Sequence, residues 1–364
     1  MSRGRGPLPV LRGRGTAENP PNRFEPIEVR LDGDTLDSDL RELGELPSPR
    51  TTFLRDTTRS IIAYNDSPDI PFDASINPYR GCEHGCIYCY ARPFHEYLGF
   101  SAGLDFETKI LVKLEAATLL RSELAARSWR PQPIIVSGVT DAYQPIERKL
   151  ALTRACLAVL AECRNPVSIV TKNHLVTRDI DLLRQLAEHE GVAVNLSITS
   201  LRPELQRVLE PRTSIPARRL DAIARLAAAG VPVGVLVAPV VPGLTDEELP
   251  AILKAGREAG AQWAGYVVLR LPHAVAGLFV DWLKQHFPDR AGKVLNRVRG
   301  MRGGRLHDPS FRQRMHAEGG MADQIRLLFK SSCRRLGFEH AVRPALSPDY
   351  FRRPGDTAQG SLFD

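Results

Sequence analysis

The chain has 364 residues, 25% of them charged and 43% hydrophobic, with six cysteines, a formal charge of +7 and a pI near 9.2. These proportions describe an ordinary globular protein with ample material for a core; they exclude a disulfide scaffold, and the most apolar stretch, "VPVGVLVAPVVPGL" at 231–244, is too short and too Pro-broken to span a bilayer. The amino terminus carries arginines but no long apolar run, so the expectation is a cytoplasmic protein without a membrane anchor, and the basic excess allows an anionic partner such as nucleic acid.

Residues 1–60 begin "MSRGRGPLPVLRGRG" and show no sustained period, which predicts a mostly disordered basic arm. Its Arg-Gly clusters read either as a solvated tail or as loose phosphate contacts. From residue 74 short β-branched runs predict strands at "ASINPYRG", 133–139, 167–172, 192–199, 231–239 and 265–271. Helix-length patterns lie between them at 109–127, 147–163, 179–189, 217–229 and 245–259, the last opened by a predicted capping box of Thr245 and Glu248. Strands apolar on both faces and alternating with helices give either a doubly wound sheet or a full or partial barrel. In either architecture the reactive groups gather at the C-terminal ends of the strands. The polar residues Thr140, Asp141, Thr171, Lys172, Asn173, Ser197, Thr199 and Arg270 fall at those ends. Past residue 288 arginines and lysines dominate up to position 314, and a helix is predicted at 321–338. The basic segment reads equally as a solvated helical cap or as a nucleic-acid-facing surface.

The strongest local signal is "GCEHGCIYCYARPFHEY" at 81–97, where Cys82, Cys86 and Cys89 have the spacing C-x3-C-x2-C. A structural zinc site needs four protein ligands, and His84 or His95 would have to supply the fourth at an unfamiliar spacing. Cys156, Cys163 and Cys333 lie in predicted helices, where packing is the simpler role. Three thiolates on one loop suit a [4Fe–4S] cluster with one iron open to a further ligand.

That loop, placed after the first barrel strand with an aromatic before the third cysteine, resembles the radical S-adenosylmethionine (SAM) superfamily. Across residues 74–275 the order "NPYRGCEHGCIYCYA", "SGVTDAYQPIE", "VTKN", "NLSITS", "LEPRTSIPARRL" and "VLVAPVVPGLTD" is similar to the spore photoproduct lyase-like, DNA repair photolyase-like branch. The resemblance implies a partial (β/α)6 TIM-type barrel at 61–288, with a helical, basic C-terminal extension at 289–345 and a flexible tail at 346–364. It implies a [4Fe–4S] cluster on Cys82, Cys86 and Cys89, and SAM bound at the open iron. It further implies that Thr140 contacts the methionine amino group and that Lys172 and Ser197 hold its carboxylate. An electron donor of the flavodoxin or ferredoxin type would drive reductive cleavage of SAM to a 5′-deoxyadenosyl radical. Tyr88, Tyr90 and Asp141 are the expected catalytic neighbours.

One position departs from the branch. Spore photoproduct lyase carries a hydrogen-returning cysteine two residues before the hydroxyl residue, and here Gly138 stands there. The expectation is therefore a relative acting on another substrate, sought first in DNA, with RNA or a peptide as the alternatives; a metal-stapled nucleic-acid-binding module without catalysis is the competing class. The chain ends "QGSLFD", and Gln359, Leu362 and Phe363 resemble the Q-x-x-L-F peptide that docks on a polymerase sliding clamp. Polar strand ends and the lack of a large apolar stripe lead to the expectation of a monomer.

Overall fold

The computed structural model describes residues 11–24, 49–70, 72–136, 138–310, 314–315, 317–338 and 343–355. Among them the strands are β1 (Thr52–Arg55), β2 (Ile62–Tyr64), β3 (Ala74–Ile76), β4 (Tyr79–Arg80), β5 (Lys109–Val112), β6 (Ile134–Val136), β7 (Val167–Thr171), β8 (Val192–Ser197), β9 (Val233–Val240) and β10 (Trp263–Val268). The α-helices are α1 (Leu104–Thr108), α2 (Ala116–Ala125), α3 (Glu147–Leu150), α4 (Leu152–Cys163), α5 (Ile180–Ala187), α6 (Pro203–Leu209), α7 (Pro216–Ala228), α8 (Leu249–Glu258), α9 (Ala274–His286), α10 (Pro288–Gly300) and α11 (Gly320–Leu336).

The main sheet runs β10-β9-β8-β7-β6-β3-β2. Every neighbouring pair from β3 to β10 is parallel, and β2 alone joins antiparallel. With the helices between them, the six parallel strands form the partial (β/α)6 barrel. All six residues of β8, "VAVNLS", are buried, as a strand covered on both faces must be. Its one amide is satisfied: the Trp263 indole N–H donates to Asn195 Oδ1 at 2.8 Å. Gly234 makes room for that indole, since a Cβ there would lie 2.2 Å from Trp263 Nε1.

Several elements differ from the sequence expectation. Residues 109–127 are not one helix. "KILV" at 109–112 has Ile110 and Val112 buried on alternate positions, and it forms β5 between β1 and β4 in a small second sheet. The predicted helix 147–163 breaks at Ala151, which takes φ 53°. The physical reason is the buried Glu147 carboxylate, which accepts from the Thr153 and Arg154 N–H groups and so serves the free first turn of α4. The capping box is not made either. Thr245 Oγ1 accepts from Val241 N, and Glu248 instead takes Ser200 Oγ, Leu201 N and Arg202 Nε.

The arm assigned to disorder is ordered where it is described. Thr52–Arg55 pairs in parallel with β5. Residues 11–24 pack over the cysteine loop and α1: Gly15 N–H donates to Glu107 Oε2, Asn19 to Asp105, and the Arg23 guanidinium pairs with Glu96 at 2.7 Å.

At the other end, the basic helices pack by their apolar faces, with Arg290, Lys293 and Arg299 exposed. Val294, Leu295 and Val298 of α10 join Leu278, Phe279 and Trp282 of α9 in a core that also contains Cys86, Ile87 and Tyr88. From α11, Ala322 and Ile325 join Met301 and Phe338 in the barrel's own core. Cys156 and Cys163 pack in that core, and Cys333 against it, as their helical spacing predicts. Residues 356–364, and with them Gln359, Leu362 and Phe363, lie outside the described residues. No helix among the described residues is long and apolar enough to cross a membrane.

Candidate active site

The three cysteines sit on a loop between β4 and the 3-10 turn Arg92–Leu98. Gly81 and Gly85 both take positive φ there, 81° and 66°, which lets the chain coil tightly around the thiols. Neighbouring side chains and backbone then bind the loop. Thr140 Oγ1 and Gln144 Nε2 donate to Gly81 O at 2.8 and 3.1 Å, and Glu83 N donates to Gln144 Oε1. Arg92 Nε donates to Cys86 O at 3.0 Å, while its far side pairs with the buried Glu107 at 2.5 Å.

Cys82 and Cys86 are buried and Cys89 half-buried, all as free thiols. Burial pushes the Cys86 thiol well above its ordinary value, and Glu210 and the other two thiols add to the shift. Burial likewise lifts Cys89 to about 11, helped by Cys82. Three thiols this close in a dry pocket call for cations to take their protons' place. Neither histidine completes a zinc site. Around His84, Nδ1 lies 3.4 Å from Asp141 and Nε2 3.1 Å from the Asn173 amide. The His95 ring stacks on Phe100 and meets Phe106 edge-on, where burial lowers its pKa to about 4. Among the described residues no three His, Cys, Asp or Glu side chains converge on a point where one metal ion would sit. Three cysteine thiols on one loop suit a multi-iron group with a thiolate on each of three irons.

Beside the loop, the ends of β7, β8 and β9 make a cationic cradle. Lys172 Nζ donates to Ser197 Oγ at 2.8 Å and to Ala238 O at 2.8 Å, and stands 3.1 Å from Glu210 Oε1. Thr199 Oγ1 lies 2.8 Å from Ala238 O. Glu210 is the buried hub: Arg219, Lys172, Thr199 and Tyr88 all point at its carboxylate. Burial alone would raise its pKa, but Arg219 and Lys172, with the two hydroxyl donors, outweigh that and hold it well below the carboxylate range.

The expected site residues divide accordingly. Lys172 and Ser197 meet as a pair. Thr140 has its hydroxyl committed to the cysteine loop. Asp141 does not reach outward as a catalytic acid would. Its oxygens accept from Thr171 Oγ1, Tyr143 N and Lys172 N and pair with His84, so it braces the loop. Tyr88 is 7% exposed, hydrogen-bonded to Thr199 and Glu210, with Lys172 Nζ 5.6 Å from its ring centre; it positions the lysine and is closed to a substrate. Tyr90 is different. It is 45% exposed, its hydroxyl donates to Gly138 O at 2.9 Å, and Arg270 lies over its ring at 5.2 Å. Sequence reasoning missed Glu210, Arg219, Gln144 and the Arg92–Glu107 pair. The first two lie within "LEPRTSIPARRL", a segment quoted for its resemblance but without roles.

A half-open parallel barrel with a three-thiol loop and an anion cradle at its strand ends belongs to an enzyme that holds an iron–sulfur cluster beside an organic cofactor. Residues 76–255 match the Radical SAM superfamily, and the chain belongs to that superfamily. Its relatives include uncharacterised proteins of Mycobacterium tuberculosis and Mycobacterium bovis, each 39% identical over 247 residues that cover 67% of this chain and 72% of the relative. An uncharacterised protein of Methanocaldococcus jannaschii is 32% identical over 173 residues, covering 48% of this chain and 62% of its own. Two variants of spore photoproduct lyase share the fold, with TM-scores of 0.54 and 0.53 at 16% identity. They cover 79% and 85% of this chain, and 79% and 92% of their own. Members of the superfamily bind a [4Fe–4S] cluster and SAM.

Proposed function

We propose that this chain is a radical SAM enzyme acting on nucleic acid, by a chemistry other than spore photoproduct repair. Cys82, Cys86 and Cys89 would hold three irons of the cluster, with SAM on the fourth. When bound, the pair would supply reductive cleavage of SAM, with an electron from a flavodoxin- or ferredoxin-type donor, and radical hydrogen abstraction from substrate. The chain's part is to bind and orient. Lys172 would offer its ammonium to the methionine carboxylate, with the Ser197 hydroxyl, which donates to Ala238 O in this structure, beside it. The ion pair with Glu210 at 3.1 Å aims that ammonium, and Tyr88 closes the floor beneath it. Six free thiols and a low-potential donor belong in a reducing compartment, which supports the cytoplasm.

The observation that carries this reading is the placement of the Lys172–Ser197 pair at the strand ends beside the three-thiol loop, with Tyr88 of that loop under the lysine. Simple nucleic-acid binding has no use for it. Gly138 argues against the lyase's hydrogen return, and sterics do not impose the glycine: a Cβ there would meet Ser75 Oγ at 3.4 Å, an ordinary contact. The protein is reconstituted anaerobically with iron and sulfide, reduced with dithionite and given SAM. A brown chromophore near 400 nm and release of 5′-deoxyadenosine are expected; Cys86→Ala loses both, and Lys172→Ala raises the KM for SAM about tenfold. A colourless protein, or one that releases no 5′-deoxyadenosine, would refute the assignment.

A further inference from the structure

Tyr90 and Arg270 lead away from the cluster toward a line of exposed rings and cations that the cofactor does not use. Arg270 follows β10, and among the described residues no carboxylate forms an ion pair with it; its guanidinium faces the Tyr90 ring and Met315 Sδ. Burial, with Arg314 nearby, lowers its pKa, and Tyr90 and Asp69 oppose that shift. Next comes His307, which feels the charges of both Arg270 and Arg302, and its ring centre lies 6.4 Å from that of the exposed His273. His273 in turn feels Arg23 and Glu96. There the line reaches Phe24 and Tyr97, stacked at 4.7 Å and 28°, with Arg23 over the Phe24 ring and Phe94 beside Tyr97. These rings are uncommonly open: Phe24 is 51% exposed, Phe94 50% and Tyr97 68%.

We infer that this line, from Tyr90 and Arg270 out to Phe24 and Tyr97, is a track for single-stranded nucleic acid. Charge and shape choose the occupant. Arg270 at the inner end and Arg23, shared with Glu96, at the outer end flank exposed aromatic rings, which matches a chain of phosphates alternating with flat bases. Paired bases are stacked on each other and cannot lie on Tyr97, whereas an unpaired strand can. The inner end of the track has the same requirement, because a nucleotide must leave its helix to reach the loop at the half-buried Cys89. Arg270 takes a phosphate, and Tyr97 and Phe24 form the outer base platform. The track rests on the proposed nucleic-acid substrate and narrows it to an unpaired strand.

The test is fluorescence anisotropy of the full-length protein with labelled 15-nucleotide oligo(dT), oligo(U) and a duplex of the same length, between 50 and 200 mM salt. Binding in the micromolar range is expected for the single strands and at least tenfold weaker for the duplex, and the tighter of the two strands identifies the polymer. Tyr97→Ala, a change at a mostly exposed ring, and Arg270→Gln should each weaken binding about tenfold. Arg270→Gln should also make the slope of log affinity against log salt shallower by about 0.7, the mark of one lost phosphate contact. Equal binding of the duplex, no binding at ~50 μM, or variants that bind like the parent would overturn the track. Release of 5′-deoxyadenosine without substrate is measured separately, so loss of the track leaves the cofactor assignment standing.

Discussion

Glu210 gathers more of the site's electrostatics than any residue the motifs point to. Its carboxylate pairs with Arg219, is 1% exposed, and also holds Lys172 and Tyr88. Removing its charge would strand the Arg219 guanidinium in a dry core, a loss that typically costs about 3 kcal/mol. Because the folded carboxylate titrates well below its ordinary value, its stabilisation is complete above about pH 4.3 and is lost as pH falls below that. Urea unfolding of apoprotein at pH 7 and pH 3 should therefore show Glu210→Gln much less stable at pH 7, with the gap to the parent narrowed at pH 3. An equal gap at both would mean that the charge is not what stabilises. Asp141 gives the opposite lesson. Beside Thr140 at a strand end it reads as catalytic, yet four partners use up its oxygens. Spacing can place a carboxylate near a site without saying which way it faces.

Among the elements, the segment at 11–24 departs furthest from expectation. It is polar and aperiodic, which is why it reads as disorder, but its backbone fits a groove that only glycines permit. A Cβ on Gly15 would lie 1.9 Å from Gly85 O, inside the cysteine loop, and one on Gly103 would lie 1.9 Å from Glu18 O. From Gly15 N the contacts run through Glu107 to Arg92 and on to Cys86 O. Burial raises the Glu107 pKa even with Arg92 and the Gly15 N–H beside it, so each donor counts. Gly15→Val should displace the segment and loosen the loop without unfolding the barrel. Reconstituted variant should lose its 400 nm absorbance to a chelator several times faster than the parent, with unchanged far-UV circular dichroism. Matching rates would reduce the segment to a passive cover.

For the whole molecule, the question is where the catalytic unit ends. Matching residues stop at 255, and the sequence pattern sets a boundary near 288. The cores ignore both. Val294 and Val298 lie under the cysteine loop with Ile87, and Ile325 packs in the barrel core, with the Phe329 ring 4.6 Å from Tyr266. Each such apolar side chain contributes about 1.5–3 kcal/mol by its burial. A chain ended at residue 287 should consequently bind 8-anilinonaphthalene-1-sulfonate and lose near-UV circular dichroism; a truncated form that keeps a sharp near-UV spectrum would show the helices to be dispensable.

What the sequence by itself determined is local and contiguous. The C-x3-C-x2-C loop, the alternation of β-branched runs with helix-length segments, and the polar residues after successive strands can all be read along the chain, because each depends on neighbours in sequence. That Lys172 and Ser197 share a site came from the resemblance, and the parallel pairing of β7 with β8 brings them together. Tertiary structure alone decided the rest: that Glu147 would break a helix, that Glu210 would anchor Lys172, that Tyr88 would be buried and Tyr90 open, and that a glycine-rich arm would brace the thiols. Each of these depends on a charge, a cavity or a close backbone approach between segments far apart in sequence. Such contacts leave no period or motif to read, because burial and Coulomb attraction act on distances that exist only once the chain has folded.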